Sequence, residues 1–341
     1  MLTYARENGC PWDAYTCTNA AENGHLNIIQ YAYGNGCLWD ERTCNYAAAG
    51  GHLHVLRFAR ANGCPWDERV CARAAYSGHL DVLQYAHENG CPWGERTCSG
   101  AALGGHLHVV KYAHENGCPW DAYTCWNAAE GGHLAVLEYA HENGCPWVGD
   151  DSDNSWYNFN ACTAAAKGGH LDELKYAHEN GCPWHVATCL YAAKGGHLHV
   201  LKYAHEKGCP WDGRTCRFAA GGGHLDVLEY AHENRCSWGE RTCAEAALGG
   251  HLAVLKYARD KRCPWDKKQC IRLAKEQGHA HVVAWIRGNP QGEGTTAAPA
   301  AVGDAIEPRA RLVPSSLAAK PPPRATKRKI PFWVWRQRKR R

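Results

Sequence analysis

Two core-forming side chains are nearly missing from this 341-residue sequence: methionine occurs once and phenylalanine four times. A chain of this length with so few of them does not build one large globular core, and its length already exceeds what a single core usually serves. Long apolar runs are missing as well. No window approaches the roughly 18 apolar residues of a membrane-crossing helix, so no transmembrane segment is expected. Met1 to Glu7 carry charge where a secretory leader would need an apolar stretch, which points to residence inside a cell, in the cytoplasm or nucleus. There is no Ser-His-Asp arrangement, phosphate-binding glycine loop or metalloprotease motif. No enzymatic activity, catalytic residue or cofactor is therefore expected.

What is present is lopsided: 20 Cys, 15 Trp, 16 Tyr and 36 Gly. Such a skew is the mark of one short pattern copied many times. In a small secreted protein twenty cysteines would suggest a disulfide framework, but in a large chain read as intracellular they are expected to be reduced thiols. The net charge of +4 is unevenly placed. Residues 288–341 hold 12 Lys/Arg against three acidic residues, leaving 26 against 31 in residues 1–287. A nucleic-acid partner is therefore a matter for the tail.

The dipeptide Gly-His recurs at Gly24, Gly51, Gly78, Gly105, Gly132, Gly169, Gly196, Gly223, Gly250 and Gly278. The spacing is 27, except for 37 at one step and 28 at the last. Each period holds two short helices. The first is expected to start after Asp121, whose carboxylate accepts free amide hydrogens, and to turn Cys125, Ala128 and Ala129 inward. Gly131 and Gly132 end it. The second presents Leu134, Val136, Leu137 and Ala140 and stops at Gly144 before Pro146, leaving Trp147 over the seam between repeats. Neither helix reaches the ~12–15 residues at which an isolated helix becomes marginally stable, so each must lean on its neighbours.

The segment from Ala128 through Ala129, Gly132, His133, Val136 and Leu137, with the later Gly144, resembles the ankyrin repeat's Ala-Ala-x-x-Gly-His-x-x-Val-Val and its following glycine. The resemblance recurs over residues 1 to about 287. It implies an all-α, ankyrin-like helical repeat solenoid of about ten helix-turn-helix units. Two departures stand out: the helix start is Thr-Cys, as at Thr43-Cys44, instead of Thr-Pro-Leu-His, and the period is 27 rather than about 33. The deficit falls in the hairpin, where Cys64 to Arg69 is too short to project far. Arrays of this resemblance are common in large DNA viruses and protists, so the cell in question is the host's if the chain is viral.

The pattern sets these boundaries: a solenoid over 1–287, with an acidic surface insertion at 148–157 and a divergent last repeat at 266–287, then a disordered Ala/Pro-rich basic tail over 288–341. The insertion lacks the glycine and final glutamate of a calcium loop. Leu2 to Cys10 matches Leu83 to Cys91 in register, so the chain is expected to start inside a second helix, with either a natural start upstream or a short frayed end that is tolerated.

Cysteines fall at two repeat positions, giving sequence neighbours such as Cys10/Cys17, Cys37/Cys44, Cys182/Cys189 and Cys263/Cys270. Structural zinc favours cysteines two to four residues apart, whereas six residues separate these, so packing as small buried hydrophobes is the preferred reading and no metal ligand is assigned. A multi-zinc repeat protein, or disulfides, is the alternative; histidines such as His87, His114 and His141 would be further ligands. The Gly-His histidines are expected to hydrogen-bond across the inter-repeat turn.

The two residues after each helical cysteine vary most. By the resemblance this helix lines the concave face through which ankyrin arrays bind proteins, which makes Tyr46, Arg73, Trp126, Tyr191, Arg217 and Phe218 candidate contacts of a protein partner. The tail ends in two basic clusters, Lys327, Arg328 and Lys329, then Arg336, Arg338, Lys339, Arg340 and Arg341, around Phe332-Trp333-Val334-Trp335. They fit an import receptor, nucleic acid or a membrane surface, in that order. The sequence thus reads as a non-enzymatic scaffold or adaptor, with a nucleic-acid-associated or nuclear-targeted protein as an alternative.

Overall fold

The computed structural model describes residues 13–149 and 160–289, all within one unit spanning residues 1–292. The start at Leu2 to Cys10, most of the acidic insertion and the tail's basic clusters lie outside the described residues. Among those described there are twenty helices in ten consecutive pairs and no strand. The pairs run from Ala14–Glu22 with Leu26–Gly34 to Lys267–Glu276 with Ala280–Gly288. An isolated antiparallel bridge between Val148 and Asn160 closes the base of the insertion.

The pair Ala122–Gly131 and Leu134–Glu142 shows how the repeat is built. Asp121 adopts an extended backbone, and its carboxylate accepts from the Tyr123 amide at 3.0 Å, a cap of the kind worth about 1 kcal/mol. Asp13, Asp40, Asp67 and Asp212 do the same for their own helices. Cys125, Ala128 and Ala129 are fully buried, and because they are small, neighbouring first helices pack along their length. Second helices bury Val136, Leu137 and Ala140 toward the first helices and meet one another at few points. The second helix closes at Gly144, with φ +89°, where the Cys145 amide donates to the Ala140 carbonyl at 2.9 Å and the Asn143 side chain donates to the Tyr139 carbonyl at 2.8 Å.

Repeats are joined by the Gly-His histidines. His106 reaches back 30 residues, its Nε2 lying 3.0 Å from the Tyr76 carbonyl at the end of the preceding first helix. The same latch joins His52 to Glu22, His79 to Ala49, His133 to Leu103, His224 to Lys194 and His251 to Gly221. The ring fits because Gly78 has no side chain: a Cβ there would sit 2.6 Å from the His106 ring. Glycine is thus required twice at Gly78, by this contact and by φ of +80°.

On the outer edge Trp147 lies over the seam, as the sequence suggests. It stacks on His141 with centroids 4.1 Å apart, meets Tyr176 of the next repeat edge-on, and donates its indole N–H to the Asn180 carbonyl at 3.0 Å. His87 on Trp93, His114 on Trp120 and His205 on Trp211 repeat the stack.

The latch can be tested by substitution and by pH. Gly78→Ala and Gly90→Ala both force alanine into the left-handed region, at about 1–2 kcal/mol each, but nothing lies within 4 Å of Gly90. Gly78→Ala is therefore expected to lower unfolding free energy by more, and equal losses in denaturant titrations would contradict the latch. Burial, and the like charge that His79, His108 and His133 would carry, hold His106 below its ordinary value of 6.5; His197 is lowered in the same way, by burial first. Just under pH 6.5 the unfolded chain therefore binds more protons than the folded one, so stability is full above about 6.5 and is lost as pH falls below it. The thermal midpoint should drop between pH 7.5 and 5.5; a flat profile would refute this.

Candidate protein-interaction face

The outward side of the first helices is set by the helical repeat. At about 100° per residue, the buried alanines three and four residues after the helical cysteine share its side of the helix. Positions one, two and five residues after the cysteine fall on the opposite side, away from the core. Five of the six predicted contacts obey this geometry. Arg73 is exposed, and Tyr46, Tyr191, Arg217 and Phe218 are half-buried. The sixth does not: Trp126 is only 7% exposed, and its indole donates to the Glu130 carboxylate at 2.7 Å. Glu130 also pairs with Lys167 of the next repeat at 2.7 Å. Trp126 thus shapes the face from beneath. Asn45, another of the variable positions, is buried as well.

Side chains on this face are linked from repeat to repeat. The Arg73 guanidinium lies over the Tyr46 ring at 4.9 Å, and Arg217 lies beside Phe218 at 5.2 Å while pairing with Glu245 of the next repeat at 2.9 Å. Asn127 donates to the Ser99 carbonyl at 2.9 Å. Tyr76 and Leu103, five residues after their cysteines, are 54% and 39% exposed on adjacent repeats. The variable pair directly after each cysteine does not include them. The fifth position varies too, from Tyr76 and Leu103 to Glu130, Lys167 and Lys194, and comparing it across repeats is the sequence signal that finds them.

The cysteines meet differently from their order in the sequence. A helical cysteine touches the turn cysteine 20 residues later, within its own helix pair, and not its sequence neighbour. Cys17 Sγ and Cys37 Sγ lie 3.5 Å apart, and such thiol-to-thiol contacts repeat through nine pairs among the described residues. The Gly-His rings bond to backbone carbonyls, and the His87 series stacks on tryptophan, in places separate from these sulfurs. Among the described residues no three Cys, His, Asp or Glu side chains converge as metal ligands would. Nor is any described helix long and apolar enough to cross a membrane.

Helix pairs at a 27-residue period, latched by histidine over glycine and stacked on small first-helix side chains, define an all-helical, ankyrin-like repeat solenoid with no strand among the described residues. Family models and curated proteins yield no match to the chain. Among solved structures, the crystal structure of the human ASB11 ankyrin repeat domain is similar to it, with a TM-score of 0.45 and 18% identity over 57% of this chain and 98% of that one.

The Arg217–Glu245 pair joins two repeats at the surface, where such pairs are worth about 0.5 kcal/mol. A double-mutant cycle with Arg217→Ala and Glu245→Ala should return a coupling of that size at low salt and a smaller one at high salt; no coupling at either would remove the pair as a link.

Proposed function

We propose that this chain is a non-enzymatic protein-binding scaffold, an adaptor that holds a protein partner on the outward face of its first helices. The observation that carries this reading is the contrast within each repeat. Cysteine, alanine pair, Gly-His and tryptophan recur nearly unchanged, and the capping aspartate at six of the ten first helices, while the outward first-helix positions differ from repeat to repeat. Arg73, Tyr76 and Leu103 are exposed at such positions, and Glu130 and Lys167 at others pair between repeats, which supports this reading. Arginine and aromatic residues on a rigid support are the side chains that dominate binding energy at interfaces. A face linked by cross-repeat contacts also loses little entropy when it meets a partner. Tyr46, Tyr191, Arg217 and Phe218 extend the contact, and Trp126 supports it. The tail over 288–341, with its basic clusters, is proposed on its sequence to set location through an import receptor or nucleic acid.

Affinity capture from cell extract followed by mass spectrometry tests this. The full chain is compared with a variant carrying Arg73→Ala, Tyr191→Ala and Phe218→Ala, and with a control carrying Asp81→Ala and Asp226→Ala on exposed second-helix sites. The face variant is expected to bind its partner at least tenfold more weakly, a loss of about 1.4 kcal/mol or more, and the control to bind as the parent does. Undiminished capture of every partner by the face variant would sink the proposal. A parallel chain lacking residues 288–341 should keep the partner held by the face and lose those held by the tail.

A further inference from the structure

We infer that the paired thiols are peroxide-modifiable sites, in which the turn cysteine is the sulfur that peroxide oxidises first and the helical cysteine 20 residues earlier is the resolving thiol that closes a disulfide within one helix pair. The two members of a pair differ in access. Helical Cys17, Cys162 and Cys216 are fully buried, whereas their turn partners Cys37, Cys182 and Cys236 retain 5%, 2% and 4% exposure, so in these pairs what solvent contact there is falls on the turn residue; turn Cys64 and Cys263 are fully buried.

The two also differ in polar surroundings. Each turn cysteine sits at the N-terminus of its own first helix, where backbone amides lack intrahelical partners. The Cys162 amide donates to Cys182 Sγ at 3.4 Å. Where Cys236 and Cys37 carry their protons, they donate instead to the capping residues' carbonyls, Asp212 at 3.2 Å and Asp13 at 3.3 Å. The sulfur is therefore served in both states. In keeping with this, hydrogen bonds from Cys162 and Cys216, opposed by burial and helped by backbone amides, hold Cys182 and Cys236 below the ordinary thiol range. Burial and the neighbouring sulfur push Cys17 up to about 12. In the Cys182 and Cys236 pairs hydrogen bonding to the turn sulfur, and burial, push the helical partners Cys162 and Cys216 up, so there the turn thiol is disposed to ionise and its partner to keep its proton.

The chemistry closes with one named oxidant, hydrogen peroxide. The turn thiolate attacks one peroxide oxygen, an S–O bond forms as the O–O bond breaks, and the departing hydroxide takes up the thiol's proton as water. Sulfur is oxidised by two electrons to the sulfenic acid and peroxide is reduced. The helical sulfur then attacks the sulfenic sulfur; an S–S bond forms, the S–O bond breaks, and the leaving hydroxide takes the helical thiol's proton as a second water. At 3.5 Å between Cys17 and Cys37, side-chain rotation has a short distance to cover. The bond clamps the turn after a second helix to the start of the first helix of the same pair.

The test is a disulfide map of the full chain. Folded protein is treated with hydrogen peroxide, blocked with iodoacetamide, digested and read by mass spectrometry, with a parallel sample oxidised in concentrated guanidinium. The folded sample is expected to lose two thiols per bond, to show cross-links within helix pairs such as Cys162–Cys182 and Cys216–Cys236, and to recover its thiols with dithiothreitol. The denatured sample should favour the shorter loop between sequence neighbours such as Cys182 and Cys189. Bonds between sequence neighbours in the folded sample, or an unchanged thiol count, would overturn the inference. Cys162→Ala removes the resolving thiol, so a dimedone adduct should accumulate on Cys182; its absence in a folded variant would overturn the assigned roles, and if the variant does not fold the map of the parent chain decides.

Discussion

The contact on which the rest depends is that of an imidazole ring over a glycine of the preceding repeat. Helices of eight to ten residues do not survive alone, so something must hold each pair to the next in a fixed register. His106 does this by bonding to the Tyr76 carbonyl, a group left without a partner by the end of its own helix. The gap that admits the ring exists only because Gly78 has no Cβ. One residue thereby satisfies a helix end, fills a void and sets the spacing of two repeats. Its repetition along the chain makes order in one repeat a condition for order in the next.

Around that contact the two helix rows have different duties. First helices carry cysteine and alanine toward one another, pack along their length, and so form the stiffer row. Second helices fill the interior with valine and leucine but touch their own kind sparingly, and the tryptophan stacks on the outer edge compensate. Trp147, held by His141, Tyr176 and the Asn180 carbonyl, ties three elements from two repeats. With spacing and register fixed elsewhere, the outward positions of that row are held less tightly to one residue type than the inward ones, and there the residues differ from repeat to repeat.

Cysteine at both small sites has a further consequence. Alanine would pack nearly as well, but it would not donate to the carbonyl of the capping residue as Cys236 does to Asp212. The sulfur closes each helix pair on itself, just as the histidine closes each pair on the next. Two thiols placed together in the core by packing also carry chemistry that neither has alone.

Period, helix ends and inward faces were legible in the sequence because they obey local rules. Asp121 caps the helix that starts beside it, Gly132 and Gly144 end helices by adopting left-handed backbone, and Cys125, Ala128 and Ala129 share one side through the helical repeat alone. The seam position of Trp147 and the cross-turn bond of the Gly-His histidine could also be anticipated, since both sit beside the junction they join. The contacts that the sequence could not determine join residues far apart along the chain. That Cys17 meets Cys37, that Lys167 reaches Glu130, and that Tyr176 meets both His141 and Trp147 were decided by tertiary structure. The physical reason is range: caps and turns are energies of one or two neighbouring residues, whereas these contacts exist only once helix pairs have been brought within ångströms of each other by packing.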